Sequence, residues 1–470
     1  MTDADTHFEP YLLLAGVTDD KALIAWGGFW FRDGDGLLDE DQLDDVDPGR
    51  TDTIGVRSRP YGAAEVEVVD EDGTVVARAG TDEANHVWVE GLAPDTVHRY
   101  RVRIDGEPWA EGPRRDWGHE QPGLGEPGRT YDNTFRTHPD PEGVSPVTFL
   151  VVGDFGYGIR GDDPASSRQR AVARAMESAV EELDVRLVIT VGDNIYLGED
   201  EPADDRPVTD NTGAEDDDWF FTLYQPYRYL LNRVPWYPVI GNHDGGETEQ
   251  SDDREQVSDN FFVDQRFTSD VEVGRASVEP GLCYSFDVGR LVDFVAVDTT
   301  EASETDHQRF FLHPDHRRFL EEEFPDRGGR TDDHPVWHLP FSHHPVWTAG
   351  PKHENDRDVL EHLVPLWRRA GVRCAFAGHE HNFQWNEHDG LHVIVTGAGA
   401  KLHTERPRRL DDAHTRAWAG EAHFLACTVD EDRLTVTPYR GNEEDGAGLE
   451  EVDLVDPDGD PVELPIVIER

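Results

Sequence analysis

Five short clusters of ligand-type side chains stand out in this sequence, and each follows a run of apolar residues. They are Asp154 in Gly153-Asp-Phe-Gly156, and Asp193 with Tyr196 in Gly192-Asp-Asn-Ile-Tyr196. Then come Asn242 and His243 in Gly241-Asn-His-Asp244, His343 ahead of His344-Pro345, and His379 with His381 in Gly378-His-Glu-His-Asn382. Carboxylate, amide, imidazole and phenol are donors for a hard or borderline metal ion. A carboxylate such as Asp193 can bridge two cations, one oxygen to each. A structural zinc site would need closely spaced cysteines, and Cys283, Cys374 and Cys427 are far apart. Taken singly, each cluster has a plain alternative. Gly, Asp and Asn are turn formers, a lone His343 is a buried hydrogen-bonded histidine, and Tyr196 is packing. The five together point to a metal site.

These residues need strands behind them. Residues 185–191 form an apolar run of the kind a buried strand makes, and Gly192 lets the chain turn at its end. Open α/β sheets place their sites at the carboxyl ends of strands. Residues 147–152 read as another strand. A helix follows, with Ser166 or Ser167 as its cap and Val172, Ala175, Met176, Ala179, Val180 and Leu183 on one face. Strand, helix, strand implies a parallel sheet with helical cover. Further strands are expected at 235–240, 292–297, 336–342, 372–376, 391–396, 424–429 and 434–438, and helices at 220–231 and 356–369, with Pro365 a possible kink.

Residues 1–138 read differently, as an all-β unit. Short strands at 11–15 and 22–26 flank the turn Asp19-Asp20, and an acidic insertion at 32–52 reads as a solvated loop. Residues 64–69 alternate with period two, and Asp72-Gly73 is a hairpin turn before 74–78. A proline-rich linker, 139–146, separates this unit from a second domain, 147–470. A second acidic loop, 198–218, lacks the regular ligand spacing of a calcium site.

The chain has 470 residues, 99 of them acidic against 43 basic, for a net charge of −56; the only lysines are Lys21, Lys352 and Lys401. A length of this order implies two or three domains. Self-repulsion on this scale strains a compact state in dilute buffer and is screened in molar salt. The composition resembles that of salt-adapted proteins, so an extreme halophile is the expected host. No basic patch is present to neutralise phosphates, which excludes bulk nucleic acid as a partner. The three cysteines read as core thiols in a reducing compartment. No signal peptide or membrane-spanning run is seen, so a high-salt cytoplasm is the expected location.

The order Gly-Asp-x-Gly, Gly-Asp-x-x-Tyr, Gly-Asn-His-Asp, His-x-Pro and Gly-His-x-His resembles the calcineurin-like metallophosphoesterases, and the tyrosine narrows the resemblance to the purple acid phosphatases. Val234-Pro-Trp-Tyr237, His343-x-Pro-Val-Trp347 and Gly378-His-Glu-His-Asn382 are similar to the tartrate-resistant, mammalian-type branch. Residues 91–102 resemble the entry segment of a fibronectin type III sandwich, with His98 at the corner-tyrosine position and Tyr100 two residues on.

The resemblance implies an α/β sandwich of two sheets flanked by helices, preceded by a fibronectin III-like β-sandwich. It implies that Asp154, Tyr196 and His381 hold a ferric ion. Asn242, His343 and His379 would hold a divalent iron, zinc or manganese, and Asp193 would bridge the two. A phenolate suits a trivalent ion, and two adjacent cations polarise a phosphoryl oxygen and acidify a water, so that hydroxide attacks phosphorus in line. The implied activity is hydrolysis of a small-molecule phosphate monoester. The alternatives are a phosphodiesterase or nucleotide pyrophosphatase on the same centre, and a binding module with a vestigial site.

A leaving group needs a proton. His243 is the first candidate and His353 the second. His353 is spaced one residue further from His343 than in the mammalian-type enzymes, and a surface histidine is its other reading. His344 reads as pocket wall, and Asp244 as an acceptor that orients a ligand.

Overall fold

The computed structural model describes residues 6–32, 36–38, 40–116, 126–159, 163–196, 219–246, 251–267, 274–276, 283–301, 309–326, 335–441 and 448–470. The acidic loop at 198–218 lies outside the described residues.

Among the described residues, the first part of the chain holds two main antiparallel sheets and a two-stranded one, Pro113–Asp116 with Glu126–Thr130. Thr6–Val17 and Lys21–Arg32 form a long hairpin, and His86–Glu90 pairs with the second of these strands. The other main sheet runs Thr134–Arg136, Val97–Ile104, Ala64–Val69, Val75–Thr81. Leu12, Leu14, Ile24 and Trp26 of the first sheet share a core with Val66, Val68, Tyr100 and Val102 of the second. The alternate residues Tyr11, Leu13, Ala25, Phe29 and Phe31 join the core of the rest of the chain instead. Tyr11 packs on Tyr224 (ring centroids 4.5 Å apart) and Phe29 on Phe220 (4.8 Å). A strand buried on both faces needs apolar residues at every position, which explains the unbroken runs at 11–15 and 22–26. Tyr100 adds a polar tie, donating its hydroxyl proton to the Asn232 carbonyl (2.9 Å).

Two larger sheets follow. The first orders Trp236–Tyr237, Val185–Thr190, Val147–Val152, His423–Val429 and Arg433–Arg440, with the short strands Glu450–Glu451 and Ile466–Glu469 on the last. The second orders Arg275–Ala276, Tyr284–Val288, Val292–Val297, Trp337–Ser342, Cys374–Ala377, Leu391–Thr396, Phe383–His388 and Thr415–Ala419. The sheets face one another; Phe149 of the first meets Phe294 (4.9 Å) and Phe376 (5.9 Å) of the second, edge to face. The helix Pro164–Glu182 buries Val172, Ala175, Met176 and Ala179, and Pro314–Glu323 and Val364–Ala370 bury Phe319, Leu320 and Trp367 with Val295 and Val393 of the second sheet. The result is a mixed α/β sandwich. Within it, Val147–Val152 is parallel to Val185–Thr190, and Val292–Val297, Trp337–Ser342, Cys374–Ala377 and Leu391–Thr396 are parallel to one another. Parallel neighbours end on the same side, which gathers the loops after them.

Several local expectations are corrected. The first long helix starts at Pro164, not near Ser167, because Asp163 is the cap; its Oδ1 accepts the amides of Ala165 (2.8 Å) and Ser166 (3.1 Å). The insertion at 32–52 is no plain solvated loop. Its Leu38 and Leu43 are buried, and Arg50 is buried against the Tyr61 ring (3.6 Å), bonded to Asp47 and Ser58. Residues 220–231 split into a π-type turn, Phe220–Tyr224, and a short helix, Arg228–Leu231, so that Phe220 and Tyr224 face the front sheets. Cys283, Cys374 and Cys427 are buried free thiols. No helix among the described residues is long and apolar enough to cross a membrane.

One buried group makes the fold acid-sensitive. His423 is enclosed; its Nδ1 donates to the Glu421 carbonyl (2.7 Å) and its Nε2 meets Thr396 Oγ1 (3.1 Å). Burial holds its pKa down to about 4, below the ordinary 6.5. The unfolded chain therefore takes this proton first. The stability that a neutral His423 contributes is whole above 6.5 and is lost progressively as the pH falls from there to about 4. His423→Gln is expected to lessen the fall in denaturant midpoint between about pH 7 and about pH 5. An unchanged fall would mean that His423 is already charged in the folded chain.

Candidate metal centre

The seven side chains expected as ligands converge at the ends of these parallel strands. Tight backbone geometry brings them there. Asp154 (φ 54°), Asp193 (φ 50°) and His379 (φ 69°) all adopt left-handed conformations, which are uncommon for any residue other than glycine. Gly192 (φ 86°) lies against the His343 ring, and a Cβ at Gly241 would collide with the amide and carboxylate of Asp193. Both glycines are thus required by close approach as much as by turning.

Two groups of donor atoms result. In one, the Tyr196 hydroxyl lies 3.1 Å from Asp154 Oδ1 and 3.3 Å from His381 Nε2, and Asp154 Oδ1 is 3.3 Å from that same nitrogen. In the other, Asn242 Oδ1 lies 2.9 Å from His343 Nε2 and 3.0 Å from His379 Nδ1, and these nitrogens are 3.1 Å apart. Asp193 stands between the groups. Its Oδ2 is 2.8 Å from the Tyr196 hydroxyl and its Oδ1 is 3.4 Å from His343 Nε2. Asp154, Asp193 and His381 place one ligand atom each within 4.8 Å of one another.

The donor set fits cations. His343 donates Nδ1–H to the Val191 carbonyl (2.9 Å), so its Nε2 presents a lone pair toward Asn242 and His379. Lone pairs facing one another at about 3 Å are repulsive unless something positive lies between them. Charge tells the same story. Burial, then the neighbouring Asp193, push the Asp154 carboxyl well above the usual carboxylate range. Burial, then Asp154 and Asp193, push the Tyr196 phenol well above its own. Without cations these buried groups cannot all ionise; two adjacent metal ions would reverse that balance.

A surrounding set of bonds fixes the expected ligands. The His379 amide donates to Asp154 Oδ2 (3.0 Å), and the His243 amide to Asp193 Oδ1 (3.0 Å). Asp244 is buried and accepts from the amides of Gly241 (2.8 Å) and Ile195 (3.0 Å) and from Asn194 Nδ2 (2.8 Å). It therefore joins the loop of Asn242 to the loop of Asp193 and Tyr196 through backbone, rather than orienting one ligand side chain.

His243 and His353 flank different groups. The His243 ring lies 4.6 Å from that of Tyr196, and the His353 ring lies over that of His379, 3.6 Å between centroids. Burial holds the His353 pKa down to about 4, so the ring is neutral at neutral pH. His344 touches His379 (4.5 Å) and bonds Thr299 Oγ1 through Nδ1 (3.0 Å). A cavity of about 380 Å³ opens here, lined by Glu301, Arg309, His344, His353, Asp356 and His379.

Three participants had no role in the sequence reading. Glu380 points away from its ligand neighbours and is buried; it accepts from the amides of His353 (2.8 Å) and Lys352 (3.1 Å) and from His403 Nδ1 (3.0 Å). Burial works against its ionised form, and the hydrogen bonds from His403 and the His353 amide outweigh it, holding the pKa below the usual value. The His403 ring packs on that of His381 (4.6 Å). Lys401 carries a cation over the Tyr196 ring (4.7 Å). Burial, then His403, with Lys401 also contributing, hold the His381 pKa down to about 3. Only Glu380 had a possible signal, its place inside Gly-His-x-His; a residue between two ligands must turn inward to the protein.

Comparison with known proteins agrees with this architecture. Residues 147–383, half of the chain, match the family described as calcineurin-like phosphoesterase. The rabbit (Oryctolagus cuniculus) tartrate-resistant acid phosphatase type 5 is 25% identical over 294 residues, 60% of this chain and 83% of that protein. Purple acid phosphatase 3 of Arabidopsis thaliana is 26% identical over 272 residues, 54% of this chain and 63% of that protein. Two solved structures share the fold over 96% of this chain. PhoD does so with a TM-score of 0.63 at 15% identity over 91% of its own chain. The yellow lupin (Lupinus luteus) purple acid phosphatase PPD1 does so with 0.56 at 14% over 74% of its own. The chain belongs to the calcineurin-like phosphoesterase family, with purple acid phosphatases among its homologues, and is a metal-dependent phosphoester hydrolase.

Proposed function

We propose that this hydrolase acts on small-molecule phosphate monoesters at a dinuclear centre. The observation that carries the reading is Asp193, which turns one carboxylate oxygen to each donor group. Asp154, Tyr196 and His381 would hold one ion, Asn242, His343 and His379 the other, and Asp193 both. The phenol of Tyr196 beside two carboxylates suits a ferric ion in the first place; the all-neutral trio of Asn242, His343 and His379 suits divalent iron, zinc or manganese in the second. Bound there, the two ions supply polarisation of the phosphoryl oxygen and acidification of the attacking water.

The chain's own residues do the rest. Asp244 and Glu380 keep the ligand loops in register. His243, beside Tyr196, and His353, beside His379, are the candidate proton donors to the leaving oxygen; His353, neutral as it stands, would serve once the negative charge of a bound ester raises its affinity for a proton. The cavity beside His353 would take the leaving group, and at about 380 Å³ it suits a small alcohol better than a polymer. The front unit, residues 1–138, is read as a fibronectin III-like domain, the following 139–146 as a linker and 147–470 as the catalytic domain. Its interface with the catalytic part through Tyr11, Phe29 and Tyr100 supports a packing role. The acid-rich, lysine-poor composition supports a salt-adapted enzyme working in a high-salt cytoplasm.

The test is hydrolysis of a chromogenic monoester beside its diester, in molar potassium chloride. Monoester turnover should exceed diester turnover by about tenfold or more in kcat/KM, about 1.4 kcal/mol of transition-state preference. A preference for the diester would move the enzyme to the phosphodiesterases. No turnover of either with both metals bound would favour a binding module.

A further inference from the structure

We propose that Lys401 is a substrate-binding residue, its ammonium holding a non-bridging oxygen of the phosphoryl group at the mouth of the metal centre. The inference rests on the chain's action on phosphate esters and adds the residue that grips the phosphate.

Four observations carry it. The turn that bears Lys401 is fastened to the loop of Asp154. Gly399 donates its amide to the Gly153 carbonyl (2.9 Å), and Ala400 (3.1 Å) and Lys401 (3.3 Å) donate theirs to the Asp154 carbonyl. Arg168 Nε closes the turn from outside on the Ala400 carbonyl (2.6 Å). The ammonium itself lies 4.7 Å from the centre of the Tyr196 ring and 4.9 Å from that of Tyr157. Two aromatic faces help to position the charge, and an ammonium has three rotatable donors, of which a phosphoryl oxygen needs one.

Composition sharpens the point. The chain has three lysines against 99 acidic residues, and two of them, Lys352 and Lys401, stand on the loops that rim the centre. Lys352 is held there by its amide, which donates to Glu380. A phosphate monoester approaching a chain of net charge −56 gains nothing from the distant field. Its attraction has to come from cations in direct reach. Among the described residues, Lys401 is a cation placed on the Tyr196 ring, whereas Arg309 and His353 line the cavity beside His379.

The test uses the metal-loaded protein and inorganic phosphate as probe. Calorimetric phosphate affinity, monoester KM and kcat, and metal content are measured for wild type, Lys401→Met and Lys401→Arg. Loss of one charge-assisted contact should weaken phosphate binding and raise KM together, roughly tenfold to a hundredfold in Lys401→Met. Metal content should stay unchanged, kcat should stay within about threefold, and Lys401→Arg should recover most of the affinity. Phosphate affinity within about twofold of wild type in Lys401→Met, or loss of metal from it, would overturn the proposal. A wild type that binds phosphate but hydrolyses no ester would count against the monoester reading and leave the phosphate contact measurable.

Discussion

Replacing Asp193 with alanine is expected to cut ester hydrolysis by ~10³-fold or more and to release metal from both donor groups. Asp193 is buried, and its two oxygens serve different neighbours: Oδ2 the Tyr196 hydroxyl at 2.8 Å, Oδ1 the His343 Nε2 at 3.4 Å and the His243 amide at 3.0 Å. Removing any other proposed ligand would weaken one position. Removing Asp193 would take a negative charge from both positions and leave the two proposed cations to repel across the gap. A metal pair contributes several kcal/mol to phosphoryl transfer, and ~4 kcal/mol is about a thousandfold in rate. Asp193→Asn separates charge from shape. It keeps an oxygen for one group and the size of the side chain, so it should fold, retain part of the metal and lose most of the rate. Metal content by elemental analysis, read beside kcat/KM, decides the matter. An alanine variant that keeps two ions and turns over within tenfold of wild type would remove Asp193 as the bridge.

Why this centre could be read from sequence follows from how it is built. Each proposed ligand sits within a few residues of a strand's end, so the apolar run and the ligand-type residue form one contiguous signal. The glycines at 153, 192, 241 and 378 mark turns that only a small residue can make. The partners that fix the ligands leave no such mark. His403 reaches Glu380 across 23 positions, and Arg168 reaches Ala400 across 232. Neither spacing has a period or a turn to announce it. Sheet order was equally hidden; nothing local says that Val147–Val152 lies between Val185–Thr190 and His423–Val429. The front unit shows the opposite case. Its runs at 11–15 and 22–26 were legible as strands, but their double burial became intelligible only once Tyr224 and Phe220 were seen against the second face. In the insertion at 32–52, abundant Asp and Gly concealed Arg50, a cation buried on a ring.

In millimolar salt the chain is expected to lose its tertiary structure and its activity, and to regain both in molar potassium chloride. The net charge is −56. Two like charges ~10 Å apart in water repel by about 0.4 kcal/mol when unscreened. A few tens of such pairs reach the ~5–15 kcal/mol that keeps a domain folded. At 0.01 M salt the screening length is ~30 Å and nearly every neighbour is felt; at 1 M it is ~3 Å and almost none is. Like charges also meet within the sheet: Asp287, exposed on its strand, is paired directly across from Asp293. Arginine pairs such as Arg309 with Asp356 (3.0 Å) and Arg136 with Asp184 (2.9 Å) oppose the repulsion locally. There are 43 basic residues against 99 acidic ones, so they cannot balance it. Near-ultraviolet circular dichroism and monoester turnover, followed through dialysis, report the transition. Sucrose serves as the discriminating additive, since it favours burial without screening charge. Recovery in potassium chloride but not in sucrose would assign the effect to screening. Equal recovery in both would assign it to exclusion of solute from the surface, and a melting temperature indifferent to salt would show that the acidic surface carries no such cost.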